Sequence, residues 1–126
     1  MNAKELEEIK KYIDKNLARG FIWPSFAKYR SLVLFVLKKE RELQLVVDYR
    51  VLNQTTIKDR YSIPLISDLQ DRLEGARYFT LIDLKEVYYL IWIKKGHKWK
   101  TTFRTQYSQF EYLVLLISLT NTLATF

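Results

Sequence analysis

The sequence predicts an α+β fold in which amphipathic helices pack on mixed or antiparallel strands. Three observations support this prediction: apolar residues at helical spacing near the amino terminus, alternating apolar residues in short runs, and turn-forming residues between the runs. The chain has 126 residues, of which 48% are hydrophobic, so it is long enough for one domain with an apolar core.

The first fifty residues contain a helix and a pair of strands by these criteria. The helix is amphipathic, with Asn2 as its N-cap, Glu5 as the partner in a capping box and Gly20 as its stop. An apolar run over 32–39 and an alternating run over 43–49 are separated by charged residues. We expect two strands joined by a short charged turn.

The remaining elements follow from the same signals. A helix is predicted over 64–73, since Pro64 suits a first helical position and Gly75 ends the apolar pattern. The β-rich run over 78–84 then predicts a strand. Four further elements are predicted: strands over 88–94, 100–105 and 110–115, and a helix opening over 119–126.

The balance of charge favours an anionic partner. Lys and Arg number 21 against 14 Asp and Glu, which gives a net charge of +7 and a pI of about 9.6. Nucleic acid is the first candidate, an anionic membrane surface the second, and a merely solvated basic surface the plain alternative. The chain has no cysteine, which excludes disulfides and thiolate metal sites.

The amino-terminal residues are charged where a secretion signal needs an apolar core. No apolar run approaches the roughly 18 residues that a membrane span requires. We therefore expect an intracellular protein, in the cytoplasm or nucleus, with no membrane partner.

Eight motifs follow one another in a fixed order: NLARGFI, VLFVLKK, VVDYRVLN, TIKDRYSIPLI, DRLEGARYFTLIDL, KWKTTFRT, FEYLV and SLTNTLATF. In this order and spacing, the whole chain resembles the reverse transcriptase domain of Gypsy-type LTR retrotransposon Pol polyproteins. The resemblance implies a partial right-hand polymerase fold. The fingers would span about 1–57 and 94–126 and the first palm segment about 58–93, with the second part of the palm, the thumb and RNase H absent.

The resemblance also implies RNA-directed DNA polymerisation on an RNA/DNA template–primer, with Mg²⁺ ions held by aspartates. Asp83 matches the first metal-binding aspartate of the family, and the backbone carbonyl of Leu84 would be a secondary ligand. The family's other two aspartates belong to a later hairpin that this sequence does not contain. We therefore expect that this chain does not bind Mg²⁺ productively and does not polymerise alone. Without the family match, Asp83 would simply cap the next turn.

Three positions match the nucleotide pocket of the family. Lys38 and Lys39 correspond to lysines that approach the triphosphate, and Tyr88 to the aromatic residue beside the incoming sugar. The alternatives are an exposed basic turn and a packed tyrosine. Two other positions of the same pocket depart from the family pattern: Gln44 replaces an arginine, and Val87 replaces a smaller residue.

Arg50 and Asn53 lie in the motif VVDYRVLN, which shapes the template path in the family. Arg50 would contact a phosphate, a kind of contact that positions nucleic acid without reading its sequence. The alternative for Arg50 is an ion pair with Asp48 or Asp59.

Three hypotheses about function remain open at this point. The first is a degenerate reverse transcriptase fragment without activity of its own. The second is a repurposed, non-catalytic nucleic-acid-binding module that combines basic charge with an aromatic content of 15%. The third is a relic without function, in which apolar faces are left uncovered. The single histidine, His97, lies in a polar run and is expected to be a solvated loop residue.

Overall fold

The computed structural model describes residues 2–125. Its helices and strands are α1 (Ala3–Ala18), β1 (Ile22–Pro24), β2 (Ser31–Leu37), β3 (Leu43–Val47), α2 (Arg50–Thr55), α3 (Ile66–Asp71), β4 (Phe103–Arg104), β5 (Gln109–Tyr112) and α4 (Thr122–Thr125). Two 3-10 helices span Val87–Leu90 and Lys98–Thr101. This is the mixed α+β content that the sequence predicts.

The first helix forms as its capping residues predict. The side-chain oxygen of Asn2 accepts from the backbone N–H groups of Lys4 and Glu5 at 2.8 and 3.2 Å. The Glu5 carboxylate in turn accepts from the backbone N–H of Asn2 at 2.9 Å, which completes the capping box. The helix ends at Ala18, and Gly20 follows with φ +71, a conformation that glycine adopts readily.

The five strands form one mixed sheet in the spatial order β1-β5-β4-β2-β3. β2 and β4 run parallel, whereas the other neighbouring strands run antiparallel. The predicted strands over 32–39 and 43–49 are confirmed as the hairpin β2–β3, whose pairing closes with Leu37 opposite Leu43. The hairpin is local in sequence, while β1 pairs with the far more distant β5.

α1 covers one face of this sheet, with Ile9 and Ile13 buried against β1 and β3. The buried apolar residues from the strands and adjoining loops include Ile22, Leu45, Val47, Tyr49, Phe103, Phe110, Tyr112 and Leu116. On the opposite face of β2, the alternating side chains of Leu32, Leu34 and Val36 are exposed. The core is therefore one-sided.

Residues 57–86, here called the exposed segment, depart from the sequence prediction. Every residue in it is exposed, and the helix predicted over 64–73 is reduced to α3. The strand predicted over 78–84 is wrong, because these residues form no strand. A strand requires a hydrogen-bonding neighbour, and within residues 2–125 none pairs with 78–84.

Other predicted boundaries also need correction. The strand over 88–94 is a 3-10 helix followed by a single bridge between Trp92 and Val114. The strands over 100–105 and 110–115 shorten to β4 and β5. The last helix opens at Thr122, three residues later than predicted, and Phe126 lies outside the described residues. β1 and α2 were not predicted.

Candidate functional site

Lys38 and Lys39 lie at the tip of the β2–β3 hairpin, as the sequence predicts for a charged turn. The turn is closed by two hydrogen bonds: Lys38 N–H donates to the Glu42 carbonyl, and Arg41 N–H donates to the Lys38 carbonyl, both at 2.9 Å. Arg41 has φ +60, an unfavourable conformation for a residue with a side chain. Both lysines are exposed, so they are accessible to an anion in solution.

A cavity of about 350 Å³ lies between α1 and β3, and Lys38 and Gln44 line it. Two tyrosines in its lining, Tyr12 and Tyr112, are joined by a hydrogen bond between their hydroxyls. Burial raises the pKa of Tyr12 to about 12 and raises that of Tyr112 as well. Both hydroxyls therefore stay protonated at neutral pH and offer hydrogen bonds rather than a general base.

Asp83 and Leu84 lie in the exposed segment, outside the lining of this cavity. Across residues 2–125, no three His, Asp or Glu side chains are grouped so that they could hold a metal ion. Mg²⁺ needs several oxygen ligands, and a two-metal centre needs carboxylates that bridge the ions. The described residues therefore do not fit the metal centre that the resemblance implies, and no catalytic step through a metal follows from them.

Tyr88 is half-buried in the 3-10 helix Val87–Leu90, rather than in the predicted strand. The residue before this helix, Glu86, has φ +53 and forms a two-pronged ion pair with Arg19 at the end of α1. The Arg19 guanidinium also lies 4.4 Å from the ring centroid of Phe21. The ion pair between Arg19 and Glu86 ties the start of the Tyr88 helix to α1. The Arg19 guanidinium also lowers the pKa of the Glu86 carboxyl.

Arg50, at the start of α2, is held by Asp48. Its guanidinium donates to both carboxylate oxygens at 2.9 and 2.7 Å, and its backbone N–H donates to one of them at 3.1 Å. These hydrogen bonds lower the pKa of Asp48 to about 2. The alternative considered for Arg50, an ion pair with Asp48, is therefore present. The Arg50 side chain is nevertheless 83% exposed, and its contact with a phosphate stays a prediction.

Asn53 uses both ends of its amide inside the chain. Its NH₂ group donates to the Ser118 carbonyl at 2.8 Å, and its oxygen accepts from the Thr120 N–H at 2.9 Å. Asn121 makes a similar pair of contacts with the backbone of Ile57 and Asp59. The amide of Asn53 thus fixes the chain after β5, and its role as a nucleic-acid contact stays a prediction.

The structure brings together a group of residues that the sequence reasoning missed. The Lys98 ammonium lies 5.3 Å from the ring centroid of Trp92, and the Lys100 ammonium lies 5.8 Å from that of Trp99. Trp99 and Lys100 also line a groove of about 720 Å³. The signal available in the sequence was the close alternation of Lys and Trp from position 92 to 100.

Comparison with known proteins identifies related sequences. A family model described as "Reverse transcriptase (RNA-dependent DNA polymerase)" matches residues 36–124. The chain is 47% identical over 87 residues to an RNA-directed DNA polymerase homolog of Oenothera berteroana, covering 69% of this chain and 61% of that protein. It is 42% identical over 103 residues to the Transposon Tf2-3 polyprotein of Schizosaccharomyces pombe (strain 972 / ATCC 24843), covering 82% of this chain and only 8% of the polyprotein.

Solved structures share the fold at low sequence identity. The foamy viral protease–reverse transcriptase in complex with dsDNA matches with a TM-score of 0.79 and 23% identity, covering 99% of this chain and 24% of that one. The same viral protein in complex with RNA/DNA hybrid matches with a TM-score of 0.77 and 19% identity, covering 99% and 17%. In the described part of this chain, no helix has the length and apolar character needed to cross a membrane.

Proposed function

Since the chain belongs to the reverse transcriptase family, we propose that it is a Gypsy-type retrotransposon polymerase fragment that binds template–primer but does not extend it. The resemblance of its eight motifs supports the Gypsy assignment, and a relative named as a transposon polyprotein supports a retrotransposon origin. The chain spans 61% of one curated relative and 8% of the other. The lineage activity is RNA-directed DNA polymerisation.

The absence of extension rests on one observation, the surroundings of Asp83. Its carboxylate lies in the exposed segment, and among residues 2–125 no other acidic groups join it in a metal-binding set. Phosphoryl transfer by two metal ions needs several oxygen ligands held together. We therefore expect this polypeptide to lack polymerase activity by itself.

Binding of template–primer rests on exposed positive charge. Lys38 and Lys39 are exposed at the hairpin tip, and the Arg50 side chain is largely exposed although it is paired with Asp48. The net charge of +7 adds a long-range attraction to phosphates. Two structures of similar fold were solved with dsDNA and with RNA/DNA hybrid, which supports a duplex partner.

The test is fluorescence anisotropy of a labelled RNA–DNA hybrid titrated with the chain across a salt series, with primer extension by Mg²⁺ and nucleotides assayed in parallel. We expect salt-sensitive binding without extension. Replacing Lys38 and Lys39 by Gln should weaken binding, whereas replacing Lys4 and Lys10 of α1 should have less effect. Extension that disappears in Asp83→Asn would refute the proposed inactivity. No binding at low salt would favour the third hypothesis, a relic without function.

A second candidate function is a non-catalytic module that binds nucleic acid for a purpose other than synthesis. The charge of residues 87–110 favours it, since this stretch has five Lys or Arg and no Asp or Glu. Apart from Val87 and Tyr88 at its start, this stretch lies outside the nucleotide and template positions taken from the family. Binding of single strands that needs neither Mg²⁺ nor Lys38 would identify this function.

A further inference from the structure

The positive charge of the chain is concentrated in one stretch. Between Glu86 and Glu111 there is no acidic residue. The cations in this interval are Lys94, Lys95, Lys98, Lys100 and Arg104. They account for five of the seven net positive charges, because the rest of the chain has 16 Lys and Arg against 14 Asp and Glu. A polyanion is therefore the class of partner that this stretch would attract.

Two exposed tryptophans lie among these cations. Trp92 is 63% exposed and Trp99 is 47% exposed, although indole rings are usually well covered in a folded chain. Lys98 lies over the first ring and Lys100 over the second. The Lys100 ammonium is also 2.8 Å from the ring nitrogen Nδ1 of His97. Each exposed ring thus has a positive charge next to it.

Hydrogen bonds fix the backbone at both tryptophans. On either side of Trp92, Ile91 accepts from Leu115 at 2.9 Å and Ile93 donates to Leu113 at 2.8 Å. The carbonyl of Trp99 accepts from the Thr102 hydroxyl at 2.6 Å and from its backbone N–H at 3.2 Å. Since Thr102 is fully buried, Trp99 is anchored to the core of the sheet. The backbone that carries both rings is therefore ordered before any binding event.

We propose that Trp92, Lys98, Trp99 and Lys100 form a docking surface, the tryptophan–lysine surface, for single-stranded nucleic acid. Unpaired bases can stack on exposed aromatic rings while lysines neutralise the phosphates between them, whereas a duplex keeps its bases stacked inside. An anionic membrane fits less well, because membrane-surface binding typically uses a long amphipathic helix and this region has a four-residue 3-10 helix. The inference deepens the second candidate function and rests on it.

Tryptophan fluorescence gives a direct test, because the chain has three tryptophans and only Trp23 lies outside the surface. Trp23 is 52% exposed, which makes it a matched internal control. In a Trp23→Phe chain, titration with oligothymidylate or oligouridylate should quench the emission of Trp92 and Trp99. In a Trp92→Phe/Trp99→Phe chain, the emission of Trp23 should stay unchanged. Quenching confined to Trp23, or absent from both chains, would overturn the proposal.

Affinity measurements on the same oligonucleotides test the two chemical parts of the surface separately. Trp92→Ala and Trp99→Ala should each weaken binding about tenfold, the scale of one lost base stack. Lys98→Gln and Lys100→Gln should each reduce the salt slope by about 0.7. Trp23→Ala and Lys4→Gln are the matched controls and should change neither quantity. Equal losses in variants and controls would count against the surface, with circular dichroism used to verify folding.

Two further outcomes separate this inference from the function on which it rests. If the chain binds single strands but the Trp92 and Trp99 variants bind them as tightly as the parent, the second candidate function is supported and the proposed surface is wrong. If the chain binds neither single strands nor hybrid at low salt, both are wrong. A blue shift of Trp92 and Trp99 emission on phosphatidylserine vesicles, with no response to oligonucleotides, would assign the surface to membranes instead.

Discussion

The hydroxyl of Tyr49 donates a 2.7 Å hydrogen bond to the carbonyl oxygen of Thr101, across 52 residues of chain. Tyr49 is only 2% exposed, and this bond links the end of β3 to the second 3-10 helix. We expect Tyr49→Phe to lower the free energy of unfolding by about 1–2 kcal/mol, because it leaves a buried carbonyl unpaired. Urea denaturation measures this change. Tyr61→Phe, at an exposed tyrosine, is the control, and an equal loss there would contradict the assignment.

Arg41 holds the hairpin turn in a conformation that suits glycine better. A φ of +60 costs about 1–2 kcal/mol for a residue with a Cβ. Glycine at this position would avoid that strain, but it would lose part of the gain because its unfolded state has more conformational entropy. Arg41→Gly should therefore raise the free energy of unfolding by about 0.5–1 kcal/mol. Arg41→Ala removes the same charge without relieving the strain and should give no such gain. If the two variants were equally stabilised, charge rather than backbone strain would be responsible.

The pairing of Asp48 with Arg50 has a consequence for pH dependence. The pKa of Asp48 is lowered from 3.8 to about 2, so the pair stabilises the fold at pH values above the unfolded pKa and loses its effect as pH falls towards 2. Arg50→Gln should raise the pKa of Asp48 but leave it below 3.8, because the backbone N–H of residue 50 still donates to the carboxylate. Titration of the carboxyl carbon by NMR checks this, and an unchanged pKa would exclude Arg50 as the cause.

The exposed segment presents apolar side chains to solvent, among them Ile57 at 91% and Leu81 at 97% exposure. Such surface favours self-association. We expect Leu81→Lys to reduce concentration-dependent association in light scattering while leaving the urea midpoint unchanged. Thr80→Lys adds the same charge beside it without removing an apolar group, and it should reduce association less. Equal effects would mean that net charge, rather than Leu81, controls association.

The parts of the fold that were predicted correctly are those with local signals. α1 has its own capping box, and the hairpin β2–β3 has alternation on both sides of a charged turn. The run over 78–84 has a strand composition but lacks a partner strand among the described residues. α2 was missed because a helix of six residues has little intrinsic stability and is fixed by the distant contacts of Asn53.

In the candidate site, too, the features with local sequence signals were predicted, and those that depend on the tertiary structure were not. The charged turn between β2 and β3 was predicted from the sequence, and Lys38 and Lys39 lie in it, while their role at a nucleotide stays a prediction. Asp48 and Asp59 were the two ion-pair partners considered for Arg50, and the structure shows hydrogen bonds from Arg50 to Asp48. The neighbouring positions of Trp92 and Lys98 could not be read from spacing, because Trp92 lies in a single bridge where a regular strand was predicted and Lys98 begins a 3-10 helix that was not predicted.

The exposed segment also affects how the sheet is assembled. Each end of the segment is anchored to the rest of the chain by contacts that do not involve its middle: Asn121 binds Ile57 and Asp59, and Arg19 binds Glu86. The segment is thus a closed loop for the purposes of chain entropy, and each doubling of such a loop costs only about 0.6 kcal/mol. Replacing residues 60–85 by a flexible linker long enough to join the two anchored ends should therefore alter the stability of the sheet little. Pairing of β1 with β5 depends on closing the chain between them, so the sheet should complete later than the local hairpin.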